Sequence, residues 1–370
     1  EGGSDMQLSE KSRKTVDACR FCWMCRHICP IGNATGQERN TARARALSLS
    51  MVVRGSAELA DVADNLYECA LCGGCTKECA TGWDPVLFTK EARLAAAMDG
   101  VMPEYIEKLI TNLEKTGNVY GKKTLDKKLK AEIETLPEKA EVLLFLGSDA
   151  RCNAPANAIE AIELLKKAGV DFTVMKNEPD SGYSYDFLLG AAAETREAME
   201  NAAAAVKSTG AKKIVAYDPA DAKVFMREYK EWNIALSAKP VTFTSFVNEL
   251  IKDKKLKIKK TKDEFVFQDP AHLARDLEET KPARNILSAL GETGEMLMNG
   301  RDTMIAGHPV MKAYMPDVMK LVAERRMADA LHVGTKKLVT ASPAEYLALA
   351  ALKEKGIEIM TLEEAVIKCL

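Results

Sequence analysis

No part of this chain is apolar over the length that a membrane crossing requires. The most apolar stretch, Val142-Leu143-Leu144-Phe145-Leu146, suits a buried strand. Neither sign of charge is in excess: 52 Lys and Arg face 54 Asp and Glu, a formal net charge of −2. Composition therefore gives no basic footprint for nucleic acid. No G-x-G-x-x-G follows a strand and opens a helix, and no G-x-x-x-x-G-K-[ST] is present, so the chain carries no dinucleotide or phosphate-loop fingerprint of its own. Nothing reads as a secretory signal. Residues 1–14 read as a tag remnant and lead, with Glu1-Gly2-Gly3-Ser4-Asp5 ahead of Met6. Outside two places the chain is also poor in cysteine, with only Cys152 and Cys369 elsewhere.

Those two places hold the other eight cysteines. One run is Cys19, Cys22, Cys25 and Cys29; the other is Cys69, Cys72, Cys75 and Cys79. Each has the spacing C-x2-C-x2-C-x3-C, and Pro30 follows the first run. This spacing holds [4Fe-4S] clusters in bacterial-type ferredoxins, where the fourth cysteine of each run ligates the other cluster. The expected ligands are therefore Cys19, Cys22, Cys25 and Cys79 for one cluster, and Cys69, Cys72, Cys75 and Cys29 for the second. Ala80 stands where a second proline would follow Cys79, which removes no ligand. Structural zinc needs only four ligands per site, commonly as spaced cysteine pairs, and leaves the third and fourth cysteines of each run unused. Disulfides suit small secreted domains. Two cubane clusters imply electron transfer, in the reducing cytoplasm of an anaerobe or of a low-oxygen niche.

Residues 30–68 separate the runs and read as helical. Thr41 to Leu49 is rich in helix formers, and Ala57 to Leu66 has apolar residues at three-to-four spacing. With no alternating β pattern beside either run, residues 15–99 read as an α-helical ferredoxin domain. Phe21, Trp23 and Trp83 are candidates to shield the clusters, and His27 is not needed as a ligand. Residues 100–140 form a lysine-rich connector. From residue 141, strands alternate with helices, which implies a parallel sheet. Strands are expected at Glu141–Leu146, Asp171–Met175 and Lys213–Tyr217, with helices over Ala156–Ala168 and 191–207 and from Pro219. The pattern repeats: Lys212-Lys213-Ile214-Val215 is echoed by Lys336-Lys337-Leu338-Val339, and helices over Thr244–Ile251 and Thr361–Ile367 close the two halves. The expected fold is an α-helical ferredoxin domain followed by a duplicated α/β domain. Its halves are 141–251 and 263–370, and the lysine-rich 252–262 is a linker or edge strand.

The whole chain resembles the iron–sulfur subunits of the heterodisulfide reductase, glycolate oxidase and anaerobic glycerol-3-phosphate dehydrogenase superfamily. Asn118-Val119-Tyr120-Gly121 resembles that group's connector motif, and Asp269-Pro270-Ala271-His272-Leu273-Ala274-Arg275 resembles its D-P-C-H-x-x-R segment. The resemblance implies two rear Cys-Cys-Gly motifs that bind noncubane clusters in catalytic members, and here they are empty of cysteine. Ser148, Asp180-Ser181-Gly182 and Asp218-Pro219-Ala220-Asp221 occupy those places in the first half. Ala271, Ile305-Ala306-Gly307 and Ser342-Pro343-Ala344-Glu345 occupy them in the second. Asp218 and Ser342 suit helix caps with proline at N1, and Asp221 and Glu345 suit the returning arm of a capping box. A hard-metal site on Asp180, Asp218 and Asp221 is the competing reading.

The expected function is an electron-transfer subunit that passes electrons between an FAD-type flavoprotein partner and a further iron–sulfur or carrier protein. The rear domain then acts as a docking platform. A second reading makes the chain catalytic, with a small anion held between the halves by His272, His308 and Arg275 near the helix starts at 219 and 343. A third, a purely structural assembly protein, leaves the eight cysteines unexplained.

Overall fold

The computed structural model describes residues 9–12, 19 and 22–370. Phe21 and most of the lead lie outside the described residues. The front is helical. After the first run come helices Pro30–Thr35, Ala42–Val53 and Leu59–Tyr67; after the second comes Pro85–Met98. Local chemistry starts them: Thr41 accepts from the Ala44 amide, and Asp84 accepts from Leu87 with Pro85 at N1. The connector is more ordered than its composition implies, with helices Glu104–Thr116 and Lys127–Glu134. Each presents leucine and isoleucine to the core at helical spacing.

Behind lie two parallel sheets of four strands. The first contains β1 (Val142–Phe145), β2 (Phe172–Thr173), β3 (Lys213–Ala216) and β4 (Lys239–Thr242), in the order β2-β1-β3-β4. The second contains β5 (Glu264–Gln268), β6 (Glu292–Gly294), β7 (Lys337–Thr340) and β8 (Glu358–Thr361), in the order β6-β5-β7-β8. The two orders are the same, and Leu143 opposite Ile214 matches Val266 opposite Leu338. Residues 253–263 form no strand, so the lysine-rich segment is not an edge strand. Its one buried anchor is Leu256.

The halves exchange their closing helices. Phe243–Lys252, at the end of the first half, packs on Lys281–Leu290 of the second. Leu362–Ile367, at the end of the second, packs on Pro155–Lys167 of the first. Each closing helix adds a polar tie across the seam. Tyr217 donates to the buried Glu363, and Thr242, Thr244 and Ser245 all donate to Glu279. The front shares its core with the rear as well: Leu66, Tyr67 and Phe88 belong to one apolar cluster with Phe187, Leu188 and Met311. Among the described residues no helix is long and apolar enough to cross a membrane.

Burial pushes the Glu363 carboxyl up to about 8, although the Tyr217 hydroxyl favours its charged form. A folded value above the ordinary 4.5 makes this carboxyl's contribution full in acid, and that contribution is lost as pH rises through about 8. Thermal unfolding should therefore show the melting temperature falling between about pH 5 and 8, and falling less in Glu363→Gln. Equal slopes in the two proteins would exclude Glu363 as the cause.

Candidate functional site

The two cysteine runs share one backbone plan. Trp23 and Gly73 each precede a short helix, Met24–His27 and Gly74–Glu78, and both adopt left-handed φ, at 73° and 75°. Glycine does so freely; tryptophan is strained there by roughly 1–2 kcal/mol. Arg26 and Arg43 lie over the Trp23 ring, 4.9 and 4.4 Å from its centroid, and offset part of that cost. Pro30 has a plain role: Cys29 is the N-cap of helix Pro30–Thr35, and its sulfur accepts from the Gly32 amide at 3.4 Å.

The eight cysteines line two adjacent cavities. One is walled by Cys29, Cys69, Cys72 and Cys75, with Ile28, Ala70 and Arg45. The other is walled by Cys19, Cys22, Cys25 and Cys79, with Trp23, Arg43 and Trp83, and it also touches Cys75. The inner cavity takes three thiols from the second run and Cys29 from the first, and the outer takes three from the first run with Cys79 and Cys75 from the second. Among the described residues no three His, Cys, Asp or Glu side chains gather closely enough for a single metal ion. The thiols stand around a volume instead, and all ten cysteines are free of disulfides.

Three observations fit these cavities to a cluster. First, each contains one buried N–H with no protein acceptor: Arg45 Nε in one and Trp83 Nε1 in the other. Sulfur would satisfy both. Second, polar groups lie beside the cysteine sulfurs. The Leu71 amide lies 3.4 Å from Cys69 Sγ, and Thr81 Oγ1 lies 3.3 Å from Cys79 Sγ. Third, burial pushes the Cys29 thiol up to about 11 and raises Cys75 and Cys25 as well. Left alone, such thiols stay protonated; coordination to a metal deprotonates them outright.

The rear residues carry another chemistry. Asp218 caps its helix through the Ala220 amide at 2.9 Å, and Ser342 caps its helix through the Glu345 amide at 3.5 Å. Neither capping box closes, however. Asp221 turns away to accept from Ser181 at 2.5 Å. Glu345 turns to the Ala306 amide, Gln268 and Thr340. In both halves the N3 acid thus clasps the loop that stands at the Cys-Cys-Gly position. Asp180 is used locally, accepting from Gly182 and Ser184. Asp180, Asp218 and Asp221 line one small cavity, but among the described residues no three such side chains are placed to hold a metal ion, which disfavours the hard-metal reading.

Of the three residues of the anion reading, His272 and His308 meet at the Tyr183 hydroxyl and Arg275 lies apart. Arg275 leaves the cleft, and its Nε donates to the Cys72 carbonyl at 2.7 Å, on the front cysteine loop. His308 Nδ1 accepts from the Val310 and Met311 amides, which leaves Nε2–H to donate toward the Tyr183 hydroxyl at 3.0 Å. Tyr183 also meets His272 Nε2 at 2.9 Å, and His272 Nδ1 meets Asp276 at 2.7 Å. The connector motif has a structural role. Asn118 orders its loop by bonding the Tyr120 and Lys122 amides, and Tyr120 reaches Asp149 and the Pro309 carbonyl.

Residues 15–83 match the model of the 4Fe-4S dicluster domain. Over 361 residues the chain is 27% identical to a subunit of the dihydromethanophenazine:CoB–CoM heterodisulfide reductase of Methanosarcina acetivorans, covering 89% of this chain and 87% of that one. It is 26% identical to the corresponding subunit from Methanosarcina mazei over 359 residues, with the same coverage. Among solved structures it is similar to Picrophilus torridus aspartate racemase, at 13% identity and a TM-score of 0.32, over 62% of this chain and 93% of that one.

Removing either cap should cost about 0.5–2 kcal/mol. Chemical denaturation of Asp218→Ala and Ser342→Ala, with iron assayed alongside, should show that loss at unchanged iron content. Iron lost in step with either side chain would make that residue a ligand.

Proposed function

We propose that this chain, which fits the iron–sulfur subunit superfamily of heterodisulfide reductase, is the electron-transfer subunit of a reductase complex and carries two [4Fe-4S] centres. Cys19, Cys22, Cys25 and Cys79 would hold one, and Cys69, Cys72, Cys75 and Cys29 the other. What supports the reading is the pair of cavities, each lined by three thiols of one run together with thiols of the other: Cys29 in the inner, Cys79 and the shared Cys75 in the outer. When bound, such centres accept and release single electrons.

The chain's own residues do the rest. Ile28, Ile31 and Ala70 keep water from the inner cavity, and Trp83, buried and packed edge-on against Phe88 at 5.5 Å, closes the outer one. Arg275 fixes the second cysteine loop from behind. Without a nucleotide fingerprint in the chain, two-electron chemistry falls to a partner, an FAD-type flavoprotein, and a further iron–sulfur or carrier protein takes the electrons onward. Residues 15–99 carry the electrons, while 141–251 and 263–370 dock the partner. The setting is a reducing cytoplasm.

A cavity of about 500 Å³ favours a second reading, a catalytic subunit. Its walls include Ala348, Leu347 and Met319, with His308 and Lys312 at the polar end. Against it, His272 and Arg275 do not line this cavity.

Anaerobically prepared protein should contain about eight irons and eight acid-labile sulfides per chain. Cys79→Ala should damage the centre of the first run, and Cys29→Ala that of the second, as read by electron paramagnetic resonance. About two zincs without sulfide would end the proposal, and damage confined to the centre of the same run would end the crossed assignment. Reduced flavoprotein should pass electrons to the full chain, whereas turnover of an organic substrate by the lone chain would favour the catalytic reading.

A further inference from the structure

The two cavities differ in charge. Arg45, which is 3% exposed, lines the inner one. Its Nη1 donates to the Asn40 carbonyl at 3.0 Å, while Nε is the atom left without a protein acceptor. The neighbouring Glu68 carboxylate is taken up by Arg39, Asn40 and Asn65. Arg93 is fully buried and bonds only carbonyls: Leu66, Phe187 and, at 2.7 Å, Cys69. Arg275 likewise bonds the carbonyls of Cys72, Arg301 and Thr303. Three buried guanidiniums therefore surround the loop 69–75, and they donate to carbonyls rather than to carboxylates.

The outer cavity is the opposite case. Its orphan N–H belongs to a neutral indole, Trp83. Its cation, Arg43, pairs with Glu38 at 3.0 Å. Cys22 is exposed, so water screens what charge remains.

A centre's potential follows its net charge, the hydrogen bonds to its sulfurs and its exposure. Burial alone disfavours the more negative, reduced state. Uncompensated cations in a low-dielectric site favour it, and their effect is strong there because little water screens them. We propose that Arg45, through its charge and its unpartnered Nε–H in the cavity lined by Cys29, Cys69, Cys72 and Cys75, makes the inner centre the higher-potential one, with Arg93 and Arg275 acting in the same direction. Electrons that enter at the exposed outer centre then come to rest at the inner one, against the rear unit. The proposal rests on the two-centre reading above.

The test is a redox titration of the full reconstituted chain, followed by electron paramagnetic resonance after iron has been assayed. Cys22→Ala, at the exposed outer centre, identifies which signal is which. The higher-potential step should survive in Cys22→Ala. In Arg45→Gln with full iron, that step should become about tenfold harder to reduce, a negative shift of about 59 mV for a one-electron couple. Arg45→Lys should shift it less, and Arg43→Gln should leave it in place. A higher step that belongs to the outer centre, or an inner step unmoved in Arg45→Gln, would overturn the proposal. If Arg45→Gln binds no iron, Arg45→Lys and Arg275→Gln decide in the same way. Fewer than about eight irons in the unmodified protein would instead remove the two-centre reading itself.

Discussion

One buried guanidinium holds the front of this molecule to its back. Arg93 has no exposed surface, and a charge so placed is tolerated only when its donors are bonded. It bonds the carbonyls of Leu66, Cys69 and Phe187, which lie at the end of one front helix, the start of a cysteine loop and the end of a rear helix. The rings of Tyr67 and Phe187 flank it at 4.8 and 4.5 Å. The rear helix can come this close because Gly190 ends it; a Cβ there would sit 2.7 Å from the Lys90 carbonyl. The cysteine loop is thus positioned from a distance, by groups that touch no sulfur.

The residues at the positions where the resemblance implies Cys-Cys-Gly motifs hold the rear loops by hydrogen bonds. Where the resemblance implies cluster ligands, each half now has a cap, an N3 acid and a clasped loop. Asp221 and Glu345 are both buried, and burial raises both carboxyls, Glu345 to about 7. Each ties its own helix to other chain segments by accepting hydrogen bonds, Asp221 from Ser181 and Glu345 from Ala306, Gln268 and Thr340.

Much of this is legible in the sequence, for definite reasons. Cysteine spacing is local, so the eight positions are enough to point to an iron–sulfur domain at the front of the chain. Strands such as Leu143–Phe145 are short apolar runs between helices, and the repetition shows that there are two such units, though not the order of strands within them. The caps at Asp218 and Ser342 are visible because a cap's partner lies within three residues. The arms of the capping boxes go elsewhere because the partners of Asp221 and Glu345 lie some forty residues away in sequence. Arg93 and Arg45 give no sign of burial, since an arginine among alanine and glutamate on a helix reads as solvated. Tyr183 gives none either; its two histidine partners come from the other half.

The exchange of closing helices bears on how the chain is made. Helix Pro155–Lys167 keeps an apolar face open until Leu362–Ile367 arrives to cover it, with Ala365 and Val366 buried there. The two are separated by nearly two hundred residues of synthesis. At ribosomal rates of roughly 5–20 residues per second, that face waits about 10–40 s. The first half therefore leaves the ribosome with an exposed sticky surface, and it depends on chaperones or on its own partial collapse to keep it from other nascent chains.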